Sequence, residues 1–464
     1  MIANLKALLR EDQLSTGASV LESHARGESY DEAVLPEAVV FPESTEDVQR
    51  VMLYAFERGV PVTPVAVNSS LEGHTVPVRG GVSLDMTRMN RILEFRPEDL
   101  LAVVQPGASY PRLNDYVRRS GLFFPIDPGA HASLGGMIST NASGTAAVRY
   151  GVTADYVLAL EVVTPTGAVI RTGSRARKSS SGYAITRLYC GAEGTLGVIT
   201  EATVRLVGLP EAAAAARVPF GSVEAATRFV SALIASGVPV ARCELVDPLS
   251  IAAVNRHQGT SYPEEMTVFL EFHGSPAGVA SDTALAEEIA REHGALLFDS
   301  SSDASERERL WAARHNMFYA TVAANPGKRS VVTDVAVPIS RLAEAVGAAL
   351  ANCREAGLSA YLVGHVGDGN FHLAIFFDPA DPAAQARVEE VSHKMVEHAL
   401  SLGGTSTGEH GVGIRKLRYM EREHGASLAV MRALKAVLDP RGIMNPGKKL
   451  PEERHSGVGT AESD

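Results

Sequence analysis

The sequence predicts an α+β protein of at least two domains. Its 464 residues are more than one hydrophobic core usually organises, and a composition of 45% hydrophobic and 21% charged residues is typical of a globular chain. The first half mixes helical periodicity with short strand-like runs. The second half alternates five strand-like runs with longer helical stretches, which favours a mostly antiparallel sheet covered by helices.

The most clearly marked element of the first half is a helix from Thr45 to Gly59. Ser44 or Thr45 can cap its first turn, and Gly59 can end it. Its apolar face consists of Val48, Val51, Met52 and Ala55. The elements predicted after it are a strand at 60–62, a strand at 100–104, a helix opened by Ser109 and Pro111, a hairpin of 157–163 with 168–172, and a strand at 198–207.

An alanine-rich run at 210–217 marks a change in composition, and we predict a domain boundary there. The predicted units are an N-terminal helical segment over 1–33, a first domain over 34–212, a second domain over 213–440, a return to the first domain over 441–450, and a disordered tail over 451–464. The strands predicted in the second domain are 240–246, 266–272, 331–337, 359–363 and 371–377.

Charge and cysteine usage exclude several classes of protein. A net charge of -11 argues against a nucleic-acid partner, because phosphate binding needs a basic face. Cys190, Cys243 and Cys353 stand far apart, which argues against an iron–sulfur cluster or a disulfide framework. The sequence lacks both a signal peptide and an apolar run of membrane-spanning length. We therefore expect a cytoplasmic protein, with attachment to a membrane surface left open.

Two loop-like segments of the first half are rich in small residues. One runs from Thr63 to His74, and the other runs from Asp127 to Gly144. Small residues let the backbone approach a ligand closely, so that several N–H groups can point at one anion. Neither segment has the GxGxxG pattern of a Rossmann dinucleotide site. These residues alone leave two interpretations open, a cofactor cradle or ordinary surface loops.

A stronger signal lies in two glycine-lined segments of the second half, residues 364–372 (GHVGDGNFH) and 403–413 (GGTSTGEHGVG). The GDGN turn predicts a hairpin that brings His365 and His372 together. With Glu409, two imidazoles and a carboxylate make a metal site that keeps positions open for substrate. The absence of thiol ligands argues against a structural zinc site. Histidines satisfied by ordinary hydrogen bonds are the alternative interpretation.

Together these segments make the chain resemble the FAD-linked oxidoreductases of the vanillyl-alcohol oxidase and p-cresol methylhydroxylase (PCMH) type. Within that group the chain most resembles the branch of D-lactate dehydrogenase (cytochrome) and the flavoprotein subunit of glycolate oxidase. The resemblance extends from Pro36 to Leu450. Its motifs are PESTEDV at 42–48, the segment 127–144, GAEGTLG at 191–197, GHVGDGNFH at 364–372, GEHGVG at 408–413 and MNPGK at 444–448.

The resemblance implies a PCMH-type FAD-binding domain of two α/β subdomains, followed by an α+β cap domain with a mostly antiparallel sheet. It implies that the 441–450 segment returns from the cap to the flavin. The residues implied for FAD are Asn68, Ser69, Ser70, Leu71, Asp127, Pro128, Gly135, Gly136, Thr140, Ser143, Gly144, Glu193, Ile199, Asn445 and Lys448.

One departure from the family concerns the first loop, where the family usually has glycines near Ala66 and Asn68. Alanine adds only a methyl group, and asparagine tolerates left-handed backbone better than most residues. We therefore expect FAD still to bind. His74 offers a point for covalent flavin attachment, but the cofactor in this branch is generally non-covalent.

The function implied is metal-assisted, FAD-dependent oxidation of a small D-2-hydroxy acid to its 2-oxo acid. His365, His372 and Glu409 would hold a divalent metal (Zn, Mn or Fe), and His410 would act as general base. Arg314 matches the WxxR arginine of the family and would bind the substrate carboxylate, although a surface helix arginine is the alternative.

The reduced flavin would pass its electrons to a separate acceptor, namely a cytochrome, a quinone, an electron-transfer flavoprotein or oxygen. We also expect a homo-oligomer. Two alternatives keep the fold and change the role. One is another FAD-linked reaction, such as ether-lipid synthesis or the oxidation of sugars or phenols. The other is a non-catalytic subunit of a glycolate oxidase-like complex.

Overall fold

The computed structural model describes residues 1–28 and 32–452, and it contains three main sheets. Nearly all of the predicted disordered tail, residues 453–464, lies outside the described residues. Within the described residues, none of the helices combines the length and the apolar character needed to span a bilayer.

Sheet A contains four strands in the order β1-β2-β4-β3, and two pairings join β2, β4 and β3 in parallel. The elements in chain order are α1 (Ile2–Leu8), β1 (Leu14–Ser15), α2 (Ala18–Ser23), β2 (Ala38–Val40), α3 (Thr45–Arg58), β3 (Val62–Val65) and β4 (Val82–Asp85). The predicted helix is confirmed as α3, because Ser44 caps it and Gly59 ends it at φ 65°. β1 pairs antiparallel with β2, so the N-terminal segment is not only helical.

Sheet B is antiparallel throughout, with five strands in the order β5-β6-β10-β8-β9. Its region contains β5 (Ile92–Arg96), β6 (Leu101–Val104), α4 (Tyr110–Val117), β7 (Leu122–Phe123), α5 (Leu134–Thr140), α6 (Ala147–Tyr150), β8 (Val157–Val163), β9 (Val169–Gly173), α7 (Ile185–Tyr189), β10 (Val198–Arg205) and β11 (Val207–Gly208). The predicted hairpin is confirmed as β8 and β9. The strand predicted at 198–207 is two strands, since β11 leaves sheet B to pair with β7.

Sheet C belongs to the second half and is antiparallel, in the order β15-β12-β14-β13-β18-β19-β16, with β17 also paired to β19. Its region contains β12 (Ala212–Phe220), α8 (Val223–Ala235), β13 (Val240–Val246), α9 (Pro248–Gln258), β14 (Met266–Gly274), α10 (Pro276–Glu292), β15 (Asp299–Ser301), α11 (Ala304–His315), α12 (Met317–Ala324), β16 (Arg329–Val332), β17 (Val335–Ala336), α13 (Leu342–Glu355), β18 (Ser359–Gly364), β19 (Asn370–Phe377), α14 (Pro382–Ser401), α15 (Met420–His424) and α16 (Ser427–Leu438).

Helices cover both faces of sheet C. One face packs against α8, α10, α13 and α14, and the other packs against α9, α11 and α12. Side chains alternate between faces along each strand, so Leu373 and Ile375 enter the first core, whereas Tyr361 and Phe376 enter the second.

Two details of the second half add to the sequence prediction. Within the alanine-rich run, where a domain boundary is predicted, Ala212 begins a nine-residue strand that pairs along its whole length with β14. Its small side chains allow close packing inside the sheet. The strand predicted at 331–337 is divided into β16 and β17 by Thr333 and Asp334, two buried polar residues.

The chain returns to sheet A near its end. Val62 N donates to Ile443 O and Asn445 N donates to Val62 O, both at 2.8 Å, which places this segment beside β3. Met444 is fully buried there, together with Val163 and Val198 from sheet B. The C-terminal segment and two residues of sheet B therefore pack into the core of sheet A, while sheet B also has a core of its own.

Two glycines with left-handed backbone allow the effect of backbone strain on stability to be measured apart from the effect of a steric clash. Gly59 has φ 65° and open space around its missing Cβ, whereas Gly81 has φ 76° and a Cβ there would lie 2.1 Å from Pro61 O. We predict that Gly59→Ala lowers stability by about 1 kcal/mol. Gly81→Ala should cost at least about 1 kcal/mol more, because the strand connection must move. Thermal unfolding of the two variants measures the difference, and equal melting temperatures would contradict it.

Candidate active site

Two histidines meet at the end of the β18–β19 hairpin. The turn at Val366–Asp368 joins the strands, and Gly369 follows it with φ 75°. A Cβ at Gly369 would lie 2.0 Å from Val337 O, so only glycine fits this turn. The ring centroids of His365 and His372 are 5.3 Å apart, as the turn sequence predicts.

Glu409 forms a group of three potential metal ligands with these histidines. Its Oε1 lies 3.1 Å from His372 Nε2 and 3.4 Å from His365 Nε2, and the three ligand atoms lie within 4.8 Å of one another. His372 Nε2 is buried without a hydrogen-bond partner, because its contact with the carboxylate lacks hydrogen-bond geometry. A buried imidazole nitrogen with a free lone pair suits a metal ion.

The second nitrogen of each ring is held by the protein. His372 Nδ1 lies 2.9 Å from Thr333 O, and His365 Nδ1 lies 2.7 Å from Glu244 Oε1. A carbonyl only accepts, so Nδ1 of His372 carries a proton, and Nε2 is the ring nitrogen that is left to face Glu409. Such outer contacts are typical of metal-binding histidines. The three side chains therefore fit a divalent metal of the zinc, manganese or iron type.

Electrostatics also favour a cation between these ligands. Burial acts to raise the pKa of Glu409, but His365 and His372 hold that pKa well below its usual range. Burial acts to lower the pKa of His365, but Glu244 and Glu409 hold it well above its usual range. Positive charge, either protons or a metal, is thus stabilised at this point.

The loop that carries Glu409 wraps around the buried carboxylate of Asp334. Its donors are the backbone N–H groups of Gly408, Glu409 and His410, the Thr407 hydroxyl, the Asn370 amide and Lys416 Nζ, at 2.6 to 3.2 Å. Burial acts to raise the pKa of Asp334, but Lys416 and the nearby histidines hold it well below its usual range. An ionised Asp334 therefore orders the whole loop.

His410 lies directly beside the three ligands. Its ring stacks on His372 at a centroid distance of 5.1 Å and an interplanar angle of 14°. Its Nδ1 is buried without a hydrogen-bond partner, 3.5 Å from Glu72 Oε1. Burial acts to lower the pKa of His410, but Asp334 and Glu72 raise it overall. The ring is thus positioned to hold a proton next to the ligand group.

Arg314, the predicted carboxylate clamp, points into the same region but already has a protein partner. Its Nε and Nη2 donate to Glu244 Oε2 at 2.9 and 2.5 Å. Glu244 is fully buried and also contacts His365, so one carboxylate links the arginine to the ligand group. The surface-arginine alternative is wrong, because only 12% of the Arg314 side chain is exposed.

A cavity of about 550 Å³ joins these groups to the first half of the chain. Asp127, Pro128, Gly129 and Thr145 line it from the first half. The second half contributes Arg242, Arg314, His365, His372, Glu409 and His410. Arg242 donates to Asp127 at 2.9 Å and lies over the Trp311 ring at 5.0 Å, so it connects the two sides of the cavity.

The first loop predicted for FAD has the conformation that glycine usually provides. Asn68 has φ 60°, and its amide donates to Arg26 O at 2.8 Å and accepts from the Thr75 hydroxyl. Ser69, Ser70 and Leu71 follow in irregular, half-buried backbone. A left-handed asparagine and adjacent serine hydroxyls fit a phosphate-binding loop.

Two glycines of the second loop are explained by packing. A Cβ at Gly135 would lie 2.5 Å from Pro106 Cβ, and a Cβ at Gly144 would lie 2.2 Å from Asp127 O. The N–H of Gly135 also donates to Pro106 O at 2.8 Å. The reason inferred from sequence, an N–H aimed at a cofactor anion, therefore does not hold for Gly135.

Other residues predicted for FAD have varied surroundings. Thr140 donates to Gly136 O at 3.1 Å, whereas Ser143 donates to Glu409 Oε2 at 3.2 Å and so reaches the ligand group. Ile199 is buried in the core of sheet B. These contacts place Ser143 beside Glu409 and Ile199 in the core of sheet B, and neither residue is among those that line the cavity.

The carboxylate of Glu193 binds backbone N–H groups of the protein, whereas the family resemblance implies that this residue contacts FAD. It accepts from the N–H groups of Val412 and Gly413, each at 2.8 Å, and lies 3.4 Å from His74 Nε2. Burial acts to raise the pKa of Glu193, but His74 and Lys449 hold it far below its usual range. The side chain thus fastens the loop after His410 onto the first half.

Asn445 and Lys448 fasten the C-terminal segment near the first loop. Asn445 Nδ2 donates to Glu193 O at 2.7 Å and to His74 O at 3.0 Å. Lys448 Nζ donates to Val76 O at 2.6 Å, and burial lowers the pKa of Lys448 to about 7. The two residues therefore lie close to the segment Thr63 to His74, as the sequence motifs imply.

Sequence reasoning missed four residues that the structure places in the site: Glu72, Arg242, Glu244 and Asp334. The sequence does contain a signal for Arg242 and Glu244. They are two charged residues on the same face of a strand whose other residues are apolar. Glu72 and Asp334 stand in segments whose partners are distant in sequence.

Comparison with known proteins agrees with the geometry. Residues 36–173 match the family described as FAD binding domain, and residues 209–449 match FAD linked oxidases, C-terminal domain. A probable mitochondrial D-lactate dehydrogenase of Danio rerio is 41% identical over 97% of this chain and 91% of its own length. The mitochondrial D-lactate dehydrogenase [cytochrome] of Arabidopsis thaliana is also 41% identical, over 97% of this chain and 80% of its own.

The solved structures agree on the fold. The crystal structure of p-cresol methylhydroxylase with substrate bound superposes with a TM-score of 0.80 over 96% of this chain and 95% of that one, at 18% identity. The predicted PCMH-type fold and family resemblance are confirmed. The chain therefore belongs to the FAD-linked oxidase family and is an FAD-dependent oxidoreductase.

Proposed function

We propose that this protein oxidises D-lactate and related D-2-hydroxy acids to 2-oxo acids with a metal-assisted site, and that a cytochrome receives the electrons. The observation that carries the proposal is the group of His365, His372 and Glu409 facing a cavity shared by the two halves. The names of the two D-lactate dehydrogenase relatives support the substrate, and one of them names the acceptor.

The reaction removes two hydrogens from the substrate, the C2 hydrogen as a hydride and the hydroxyl hydrogen as a proton. When bound, FAD would supply the hydride acceptor, and a divalent metal held by His365, His372 and Glu409 would supply a positive charge that lowers the pKa of the hydroxyl. His410 accepts the hydroxyl proton on Nε2, the ring nitrogen that lies 3.9 Å from Glu409 Oε1, while its Nδ1 lies 3.5 Å from Glu72 Oε1.

The substrate carboxylate needs a cation in the cavity. Arg314 and Arg242 are the arginines that line it, and both are partly committed to buried carboxylates. Glu244 accepts from Nε and Nη2 of Arg314, and these two contacts fix the orientation of the guanidinium group. Nη1 takes no part in them. We propose Arg314 as the primary contact and Arg242 as the group that completes the positive wall.

Each turnover releases two electrons, which a cytochrome would take one at a time. The intact ligand group and base argue against a non-catalytic subunit, and no observation favours ether-lipid or phenol chemistry.

We keep the cytoplasmic location as part of the proposal. Three separated cysteines support it, while both relatives are named as mitochondrial.

The proposal predicts that the yellow holoenzyme loses its flavin absorbance when a D-2-hydroxy acid is added without oxygen. L-lactate should leave the absorbance unchanged. If its hydroxyl and carboxylate bind in the same places, inversion at C2 puts the methyl group where D-lactate has the hydrogen that leaves as hydride. Rapid-mixing absorbance measurements with D- and L-lactate make the comparison. A flavin reduced by neither D-lactate nor any other D-2-hydroxy acid would contradict the proposed substrate class.

His410→Ala should lower turnover by about 10²–10⁴-fold, the usual effect of losing a general base. FAD content and metal content should match the wild type, since neither is assigned to this side chain. The matched control is His257→Ala at the exposed end of α9. Flavin reduction by D-lactate at a near-normal rate would refute the role given to His410.

Glu409→Gln and His372→Ala should each lose the bound metal while keeping FAD, because a neutral or missing ligand weakens a three-ligand site. Elemental analysis gives the metal per protein, and the visible spectrum gives the FAD. Turnover should fall in both variants and should not return when metal is added. A wild-type enzyme that stays fully active after exhaustive chelation would contradict the metal's role.

A further inference from the structure

The N-terminal segment crosses the edge of sheet A from which the first loop predicted for FAD leaves. β3 ends at Val65 and β4 ends at Asp85, and these two residues are paired in parallel register. Both strands therefore end at the same edge of the sheet, and the loop that contains Asn68 begins there. α2 and the three residues after it, 18–26, lie against this edge, and we call them the N-terminal tether.

The first contact of the N-terminal tether with sheet A is made by His24, which follows α2. His24 Nε2 lies 3.0 Å from Asp85 Oδ2, and His24 Nδ1 lies 2.8 Å from Val20 O. A carbonyl oxygen and an ionised carboxylate oxygen only accept, so both ring nitrogens of His24 carry a proton. The ring is then an imidazolium, and its charge is paired with Asp85 where only 11% and 9% of the two side chains are exposed.

The second contact joins the N-terminal tether to the loop itself. Asn68 has φ 60°, and its side-chain amide donates to Arg26 O at 2.8 Å and accepts from the Thr75 hydroxyl. Left-handed backbone is open to glycine and strained for most other residues, and asparagine adopts it with the help of local hydrogen bonds to its side chain. The Arg26 carbonyl therefore supports a turn that glycine would adopt without help.

We infer that the N-terminal tether is part of the cofactor site and that His24 is a positioning residue for FAD. His24 fixes the tether to Asp85 at the edge of sheet A. Two residues further on, the Arg26 carbonyl fixes Asn68 in the loop that would hold the FAD phosphates. The inference rests on FAD as the cofactor and on the role of this loop, and it holds whichever hydroxy acid is the substrate.

The ion pair makes the retention of FAD sensitive to pH. Asp85 faces the His24 ring from β4, and Phe41, which has Arg88 at 5.0 Å from its ring centroid, faces it from the end of β2. Burial acts to lower the pKa of His24, but Asp85 and the Val20 carbonyl raise it overall. The pair therefore contributes fully below the ordinary histidine pKa, and its contribution is lost as pH rises through the raised pKa.

The test measures the dissociation constant of FAD from the holoenzyme at about pH 6 and about pH 9, by the fluorescence of released FAD. The wild-type constant should rise between these two values. His24→Gln should raise it by about tenfold at the lower pH, because glutamine carries no charge, and the two proteins should bind FAD equally at the higher pH. Lys448, whose pKa burial lowers to about 7, titrates in the same range, but it is the same in both proteins. Equal FAD affinity of the two proteins at the lower pH would overturn the inference.

A double variant separates positioning of the loop from a general loss of stability. Asn68→Gly removes the amide and adopts left-handed backbone without it, so His24→Gln should have no further effect on FAD affinity in that background. An effect of His24→Gln that stays as large in Asn68→Gly as in wild type would overturn the inference, because the tether would then not act through Asn68.

The matched control is His257→Gln at the exposed end of α9, which should keep the wild-type dissociation constants at both pH values. If His24→Gln does not fold, the comparison of wild type with Asn68→Gly decides. The dissociation constant of FAD should then depend less on pH in Asn68→Gly than in wild type, and an equal dependence in the two proteins would overturn the inference.

Discussion

Six hydrogen-bond donors converge on the carboxylate of Asp334, and they come from β19, from the loop at 407–410 and from Lys416. A carboxylate buried in this way is stable only while its donors stay in place, so it acts as an ordering centre for the loop. Glu409 and His410 are adjacent in that loop. The position of the proposed metal ligand Glu409 and the position of the proposed base His410 therefore depend on the same buried group.

The charges around this centre are balanced in a way that suits a divalent ion. The carboxylates are Glu72, Glu244 and Asp334, which are buried, and Glu409, which is half-buried. The cations are Lys416, which is buried, and Arg314, which is half-buried. With neutral histidines the group would carry two excess negative charges, which is very costly in a buried place. A divalent cation, or protons on the histidines, removes that cost. This explains why the pKa of His365 is raised although the ring is buried.

The site exists only where the two halves of the chain meet. Glu72 from the first loop contacts His410, and Glu193 accepts from Val412 and Gly413 of the cap. The segment after α16 then returns to sheet A. Buried contacts on both sides of His410 thus join the first half, which matches the FAD-binding family, to the cap that carries the proposed substrate site.

Sequence by itself determined the local features of this protein. The Ser44 cap and Gly59 stop predict α3, and the GDGN turn predicts the hairpin that joins His365 and His372, because both signals involve residues close together in the chain. The family motifs then implied the fold. Only the tertiary structure decided the roles of Glu72, Glu244 and Asp334, since each acts through partners that are distant in sequence. It also changed the explanation of Gly135, because packing against a neighbour leaves no pattern in a single sequence.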